Sequence, residues 1–357
     1  MASRPSAVKS RIVSIQYLRA IAALMVVIFH AANMVVDDLP PHLGLHIDLG
    51  QAGVDLFFVI SGFIIWSIGR AEDAEPGRFL LRRAVRIFPP YWAALSVWIA
   101  VVWAGGLHWV ELDPHHVALS YLLIPHWSPT HAGTFWPVLA PGWTLIFELF
   151  FYGLFAATLV FGRRVRLAVL SALVGGLVLL GLVIAPQTAA ATAYTSPLML
   201  EFLGGALVAE LWRRGHGTIA LGAICVLAGV LLWAVLGGMS ATDQTSWSRP
   251  AIFGVSAVLI VFGFAQLEPV VPALPVLEKL GDASYVLYLL HVPVLIVLLG
   301  LWNRVPIAEG AISAMGFVLV GVAVSCALAL PAHARLEKPF LRSVLTKSTG
   351  SRRAAGR

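Results

Sequence analysis

Long apolar runs alternate with short polar segments along almost the whole chain. Each run is close to the roughly 20 residues that a helix with a 1.5 Å rise per residue needs to cross a bilayer. The pattern therefore predicts an all-α, polytopic membrane protein with about ten transmembrane helices. The predicted spans lie near residues 12–35, 52–69, 87–105, 142–161, 167–185, 197–212, 218–237, 250–267, 283–300 and 309–330.

The composition supports this class, because 59% of the residues are hydrophobic and only 12% are charged. A soluble domain has about 25% charged residues. We therefore expect an N-terminal segment 1–11, one membrane domain 12–340 and a basic, disordered tail 341–357. The first run lacks a small-residue cleavage site and is interpreted as an uncleaved anchor. Because Cys225 and Cys326 both fall in apolar runs, no disulfide framework is expected.

The positions of the basic residues predict the orientation in the membrane. If both termini are cytoplasmic, 21 of the 24 Lys and Arg residues fall in cytoplasmic segments. Only Arg249 and Arg304 then lie outside, and Arg19 lies within the membrane. This distribution follows the positive-inside rule, so we expect an even number of spans with both termini in the cytoplasm. The net charge of +6 is accounted for in this way, and no nucleic-acid partner is expected.

The first run carries two polar residues on one helical face. Arg19 and His30 are eleven residues apart, which is three turns plus roughly 20°, and about 16 Å along the axis. A charge in hydrocarbon costs at least about 2.5 kcal/mol, so such residues normally face a bundle interior or a wet cavity. The alternative is an arginine that extends to the interface and a hydrogen-bonded histidine of the core.

Two carboxylates are predicted at the same depth as His30. Asp55 starts the second span, and Glu148 lies roughly 9 Å below the outer boundary of the fourth, with Tyr152 one turn further on. Because each ionisable group is costly alone in a membrane, we expect His30, Asp55 and Glu148 to be partners in one layer. A neutral imidazole beside a carboxylate is a competent general base.

The opposite side of the predicted membrane is basic. Arg83 and Arg86 are three residues apart where the third span begins, and such a pair can hold a phosphate. Ordinary positive-inside anchoring is the alternative. Ser284, Tyr288 and His291 follow helical spacing in the ninth span and predict a polar lining between the two sides. The arrangement suits an anionic cytoplasmic donor and an acceptor outside.

The long outer segment 107–141 is rich in histidine, proline and tryptophan. Its histidine spacings match no compact ligand set, so no metal site is expected there. An interfacial loop that lines an acceptor groove is the favoured interpretation.

Several short motifs follow one another along the chain. They are Arg19-x10-His30, the segment from Gly53 to Phe63, Arg83-x-x-Arg86 with Pro89 and Tyr91, Trp143-Thr144-Leu145 with Glu148 and Tyr152, Glu201-Phe202, Gly281 with Ser284-Tyr285, Tyr288 and His291, and Glu337-Lys338-Pro339. With these motifs in this order, the chain resembles the acyltransferase-3 family of integral membrane acyltransferases over residues 12 to 340, and its opening segment is most similar to the exopolysaccharide acetyltransferase branch.

The resemblance implies an enzyme of the bacterial cytoplasmic membrane that transfers an acetyl group from acetyl-CoA to a hydroxyl of an extracytoplasmic polysaccharide or lipid-linked glycan. It implies His30 as the catalytic residue, assisted by Glu148 or Asp55. The coenzyme nucleotide would be held by Arg83 and Arg86. The implied partners are the bilayer, the glycan and polysaccharide assembly machinery, with no metal.

Three further expectations concern the donor path, the order of the transfer and the alternative functions. Arg19, Ser284, Tyr288 and His291 are expected to line the path of the donor. Transfer is expected to be direct, with an acylated His30 as the variant. A glycan transporter or flippase and a purely structural component are the alternative functions.

Overall fold

The computed structural model describes residues 12–39, 48–68, 75–237, 246–305 and 310–340, and it contains helices and no strands in these ranges. The predicted all-α, polytopic class is confirmed. The predicted segment 1–11 and the tail 341–357 lie outside the described residues. The helices are α1 (Val13–Asn33), α2 (Ala52–Ile68), α3 (Pro76–Gly105), α4 (Pro114–Leu122), α5 (Trp143–Thr158), α6 (Arg163–Ile184), α7 (Ala189–Tyr194), α8 (Met199–Arg213), α9 (Ile219–Leu236), α10 (Val255–Leu267), α11 (Pro275–Trp302) and α12 (Ala311–Ala332).

Nine helices of the described part are long and apolar enough to cross a membrane. The remaining predicted span, 197–212, corresponds to α8, which has 15 residues and is therefore roughly 22 Å long. A short helix is tolerated here because α8 lies inside the bundle, where most of its side chains are buried by other helices. By contrast, α6 and α9 expose most of their apolar surface, as expected for helices that face lipid.

The bundle has two ends, which we name by the residues found there. The arginine end is where α1 and α3 begin, and it carries Arg83 and Arg86. The loop end is where α1 and α3 finish, and residues 106–142 cover it. Backbone N–H groups at the start of α1 donate to the Glu268 carboxylate at 2.8 and 3.0 Å, which joins α1 to the end of α10.

Close contact between α2 and α8 depends on two glycines. A Cβ on Gly62 would overlap the carbonyl of Phe202, and a Cβ on Gly205 would overlap the carbonyl of Val59. The absence of side chains at these positions lets the two backbones touch, as small residues do in other membrane bundles. This contact fixes α2 in the centre of the protein, where it presents polar side chains to the interior.

Hydrogen bonds from α3 hold the segment that covers the loop end. The Tyr91 hydroxyl donates to the carbonyl of Ser120 at 2.9 Å, and Trp98 Nε1 donates to the carbonyl of Val138 at 2.8 Å. Asp113 caps α4 by accepting from the backbone N–H of His116 at 3.0 Å. The segment 106–142 over the loop end is therefore a packed structure with its own helix.

Candidate active site

Two cavities enter the bundle from opposite ends and approach each other in its middle. The arginine cavity has a volume of about 100 Å³ and is lined by Arg19, Arg83 and Arg86. The histidine cavity, at the loop end, has a volume of about 490 Å³ and is lined by His30. Val54 and Tyr288 line both cavities, so these two residues mark the place where the cavities meet.

His30 is held by its own helix and by α11. Its Nδ1 lies 2.9 Å from the carbonyl oxygen of Val26, one turn earlier in α1. Because a carbonyl oxygen only accepts, Nδ1 carries the hydrogen and Nε2 is left as the basic nitrogen. The same Nδ1 lies 3.3 Å from Nε2 of His291, which is fully buried. The structure thus pairs His30 with a second histidine, because α1 and α11 pack along each other.

The arginine cavity brings together residues from three separate parts of the sequence. Arg19 of α1 meets Arg83 and Arg86 of α3, and Ser284 of α11 completes one wall. Arg83 is almost buried, with its guanidinium 5.5 Å from the centre of the Phe79 ring. Guanidinium groups are the side chains that proteins most often use to recognise phosphate, and three of them line this small cavity.

Glu148 lines the arginine cavity and not the histidine cavity. Its Oε1 accepts a hydrogen bond from the Ser61 hydroxyl at 2.9 Å and another from the Tyr152 hydroxyl. The Tyr152 ring lies 5.8 Å from the guanidinium of Arg83. The predicted layer that groups Glu148 with His30 is therefore not present, because α2 and α5 turn these polar groups towards the arginine cavity.

Asp55 has a partner that the sequence analysis missed. Its two carboxylate oxygens accept hydrogen bonds from Arg249 Nε at 3.1 Å and Nη2 at 2.9 Å, and both side chains are buried. Glu201 lies within electrostatic range of both. Arg249, which the charge distribution places outside the membrane, is 2% exposed. The expected partnership of Asp55 with His30 is thus replaced by a buried ion pair between α2 and the start of α10.

Tyr288 stands between the cavities at the level of α5. Its hydroxyl lies 3.1 Å from the Thr144 hydroxyl and donates to the carbonyl of Pro141 at 3.1 Å. His291 is three residues further along α11, with ring centres 5.8 Å apart. Two of the three residues predicted to line α11 lie on the cavities, Ser284 on the arginine cavity and Tyr288 on both, whereas His291 lines neither cavity and contacts His30.

The histidines of the outer segment form contacts with each other. His116 Nδ1 lies 2.5 Å from His126 Nε2. The pKa of His116 is lowered to about 4, mainly because the ring is buried and secondly because His126 is close. Burial also lowers the pKa of His131. In the described residues, no group of three or more His, Cys, Asp or Glu side chains has the arrangement of a metal site. His116 and His131 therefore contribute packing and hydrogen bonds to this segment.

Comparison with known proteins identifies the family of the chain. The model of an acyltransferase domain matches residues 12–332. The exopolysaccharide production protein ExoZ of Rhizobium meliloti (strain 1021) is 38% identical over 321 residues, which are 88% of this chain and 94% of ExoZ. The acyltransferase MdmB of Streptomyces mycarofaciens is 27% identical over 321 residues, covering 79% of this chain and 78% of MdmB. No solved structure matches the chain.

The matched domain includes both cavities and all residues that line their junction. The described part of the chain is an all-α bundle with nine helices that are long and apolar enough to cross a membrane. The family match covers nearly the whole chain. These two findings together define an integral, multi-pass membrane enzyme. The chain belongs to the acyltransferase-3 family of membrane acyltransferases.

Proposed function

We propose that this protein transfers an acetyl group from cytoplasmic acetyl-CoA to a hydroxyl of an extracytoplasmic polysaccharide or lipid-linked glycan. The arginine end faces the cytoplasm of a bacterial inner membrane, in line with the positive-inside distribution of Lys and Arg. The similarity to an exopolysaccharide production protein supports a glycan acceptor and a place beside polysaccharide assembly machinery.

The observation that carries the proposal is the meeting of the two cavities at Val54 and Tyr288. Arg19, Arg83 and Arg86 bind the phosphates of the coenzyme, and the thioester end extends along α11 towards the junction. The acceptor hydroxyl enters from the loop end. Donor and acceptor then approach without either molecule crossing the membrane.

His30 acts as the general base in this scheme. Its Nε2 takes the proton of the acceptor hydroxyl, and the oxygen attacks the thioester carbonyl to form the new carbon–oxygen bond. The carbon–sulfur bond then breaks, and the leaving coenzyme thiolate takes the proton from Nε2, which restores the neutral base. The hydrogen bond from Nδ1 to Val26 keeps the required tautomer, and Nε2 of His291 contacts the same nitrogen and leaves Nε2 of His30 for the acceptor. Base catalysis of this type supplies about 10²–10⁴-fold, and positioning supplies much of the remaining rate.

Glu148 and Asp55 have supporting roles in this scheme. Glu148 orders Tyr152 beside Arg83 at the coenzyme site. Asp55 neutralises Arg249 and thereby shapes the wall of the histidine cavity.

The first test is a His30→Ala variant in cells that make the polysaccharide. We expect O-acetylation to disappear while the level and folding of the protein remain normal, because only the base is removed. His216→Ala is the matched control, since His216 is exposed at the arginine end. Normal acetylation in the His30→Ala strain would refute the catalytic role.

The second test addresses the donor. Coenzyme A at 100 times its Kd is expected to stabilise the purified protein by about 2.7 kcal/mol in a thermal-shift experiment. Replacing Arg83 and Arg86 by alanine removes charge-assisted hydrogen bonds worth about 1.5–3 kcal/mol each, so the affinity should fall at least tenfold. Arg78→Ala is the matched control on the same helix, because Arg78 pairs with Glu75 outside the cavity. Equal shifts in all three proteins would contradict the assigned coenzyme site.

A further inference from the structure

The histidine cavity contains aromatic side chains that the transfer reaction itself does not use. We call Trp98, Trp109, His131 and Trp136 the aromatic patch, and all four line this cavity. Trp98 is buried, while Trp109 is 54% exposed with its ring centre 6.4 Å away. The rings of His131 and Trp136 contact each other with centres 4.9 Å apart. The patch therefore offers an open indole face beside a second aromatic pair.

One member of the patch lacks a hydrogen-bond acceptor. Trp98 Nε1 donates to the carbonyl of Val138. Trp136 Nε1 is buried and has no hydrogen-bond partner among the described residues. A tryptophan of an ordinary interfacial belt directs its N–H to water or lipid headgroups, so membrane anchoring does not account for Trp136. The orphaned N–H points to a ligand that supplies an oxygen.

The polar groups near the patch also suit a hydroxylated ligand. Ser128 Oγ accepts from the backbone N–H of His131, and Thr130 Oγ1 accepts from the backbone N–H of Glu111, so each O–H remains able to donate. The lining includes no carboxylate in the part of the chain that the structure describes. These groups are donors for neutral or acidic hydroxyl-rich molecules.

A pyranose ring with equatorial hydroxyls has the matching chemistry. Its C–H groups form two apolar faces that stack on an indole, and its hydroxyls form a polar rim that accepts and donates hydrogen bonds. A lipid tail would make no use of the orphaned N–H. The cavity volume of about 490 Å³ lies within the 300–1,000 Å³ typical of small-molecule sites.

We propose that Trp109 and Trp136 form a subsite that binds one pyranose residue of the acceptor, stacked on Trp109 and hydrogen-bonded to Trp136 Nε1. This inference rests on the proposed function and extends it, because it assigns the acceptor class to particular side chains. The subsite lies in the cavity that contains His30, so the bound sugar presents a hydroxyl on the side of the base.

The test uses the full-length protein in lipid nanodiscs with saturating acetyl-CoA. The acceptor is a set of exopolysaccharide fragments from the producing organism, de-O-acetylated by mild alkali, and the KM for the fragments is measured. Trp109→Ala should raise this KM about tenfold through loss of stacking, whereas Trp109→Phe keeps an aromatic face and stays nearer the wild type. Trp136→Phe keeps an aromatic ring but removes the N–H, and should raise the KM several-fold.

Two controls separate the subsite from general damage. Trp127→Ala changes an exposed tryptophan of the same segment that does not line the cavity, and its KM should stay unchanged. The thermal shift with coenzyme A should be the same in every variant, since the arginine cavity is untouched.

An unchanged KM in Trp109→Ala and Trp136→Phe would overturn the subsite while the proposed function stands. If Trp109→Ala is not recovered as folded protein, the Trp136→Phe result decides alone. If the wild-type protein binds coenzyme A but acetylates no fragment, the proposed acceptor fails and the subsite fails with it.

Discussion

The buried pair of Asp55 and Arg249 gives a sharp test of structure against catalysis. The two side chains share two hydrogen bonds of 2.9 and 3.1 Å, and neither is more than 2% exposed. The sequence alone suggests that Asp55 assists His30, whereas in the structure the Asp55 carboxylate is hydrogen-bonded to Arg249. We therefore predict that Arg249→Ala and Asp55→Asn act first on stability.

The magnitude follows from what each change leaves behind. Removing one partner of a buried ion pair leaves an uncompensated charge and costs about 3–5 kcal/mol. Arg249 also stacks over the Trp143 ring at 5.8 Å and donates to the carbonyl of Gln51 at 3.3 Å. Arg249→Ala should therefore cost more than Asp55→Asn, which keeps the stacking. Either loss is a large part of the 5–15 kcal/mol by which folded proteins are usually stable.

The assay is unfolding of the purified protein in mixed micelles by titration with sodium dodecyl sulfate, followed by tryptophan fluorescence. A double variant, Asp55→Asn with Arg249→Ala, removes both charges and should recover part of the loss, with a coupling energy of about 3 kcal/mol. Arg304→Ala is the matched control, because Arg304 is the other loop-end arginine and is exposed. Its effect should stay within about 0.5 kcal/mol.

Glu201→Gln completes the set. Asp55 accepts two hydrogen bonds from Arg249, so Glu201→Gln should be much milder than Asp55→Asn. The reasoning is refuted if Asp55→Asn unfolds at the wild-type midpoint and yet abolishes acetyl transfer. That result would return Asp55 to the chemistry of His30.

The remaining predictions concern packing, pH and the junction. Gly62→Ala should destabilise the protein by about 1–3 kcal/mol, because the new Cβ overlaps an α8 carbonyl, whereas Gly153→Ala has open space and should be neutral; thermal unfolding measures both. The pKa of His116 is about 4 in the folded protein and about 6.5 in the unfolded chain, so the free energy of unfolding should fall as the pH drops from 6.5 to 4. In His116→Gln, the midpoint of unfolding should depend less on pH over this range. Tyr288→Phe removes a hydroxyl bonded to Thr144 and should lower kcat more than it raises the KM for acetyl-CoA; a wild-type kcat would contradict a role at the junction.

Much of the fold could be predicted because the bilayer imposes helix length and apolarity. The sequence also placed Arg19 and His30 on one stripe, and the structure puts Arg19 with Arg83 and Arg86 in one cavity. This grouping was predictable because depth follows from helical rise. The short helix α8 shows the limit of the length criterion, since a helix inside the bundle need not match the full membrane thickness.

The partners of the polar residues were less predictable, because depth does not say which helices are neighbours. Asp55 and Arg249 are 194 residues apart, and their pairing requires α2 to pack beside the start of α10. A single arginine immediately before an apolar run, on the side where basic residues are rare, was the available signal. His291 likewise changed from an expected lining residue to the partner of His30 because α1 and α11 are adjacent.

The narrow contact at Val54 and Tyr288 has a consequence for the cell as a whole. An enzyme whose cavity is open to both faces of an energised membrane would let protons leak down their gradient. Here the two openings end against an isopropyl group and a phenol that is hydrogen-bonded to Thr144 and to the backbone of Pro141. In the proposed reaction, these two side chains would let an acetyl group pass from donor to acceptor while the membrane stays impermeable to protons.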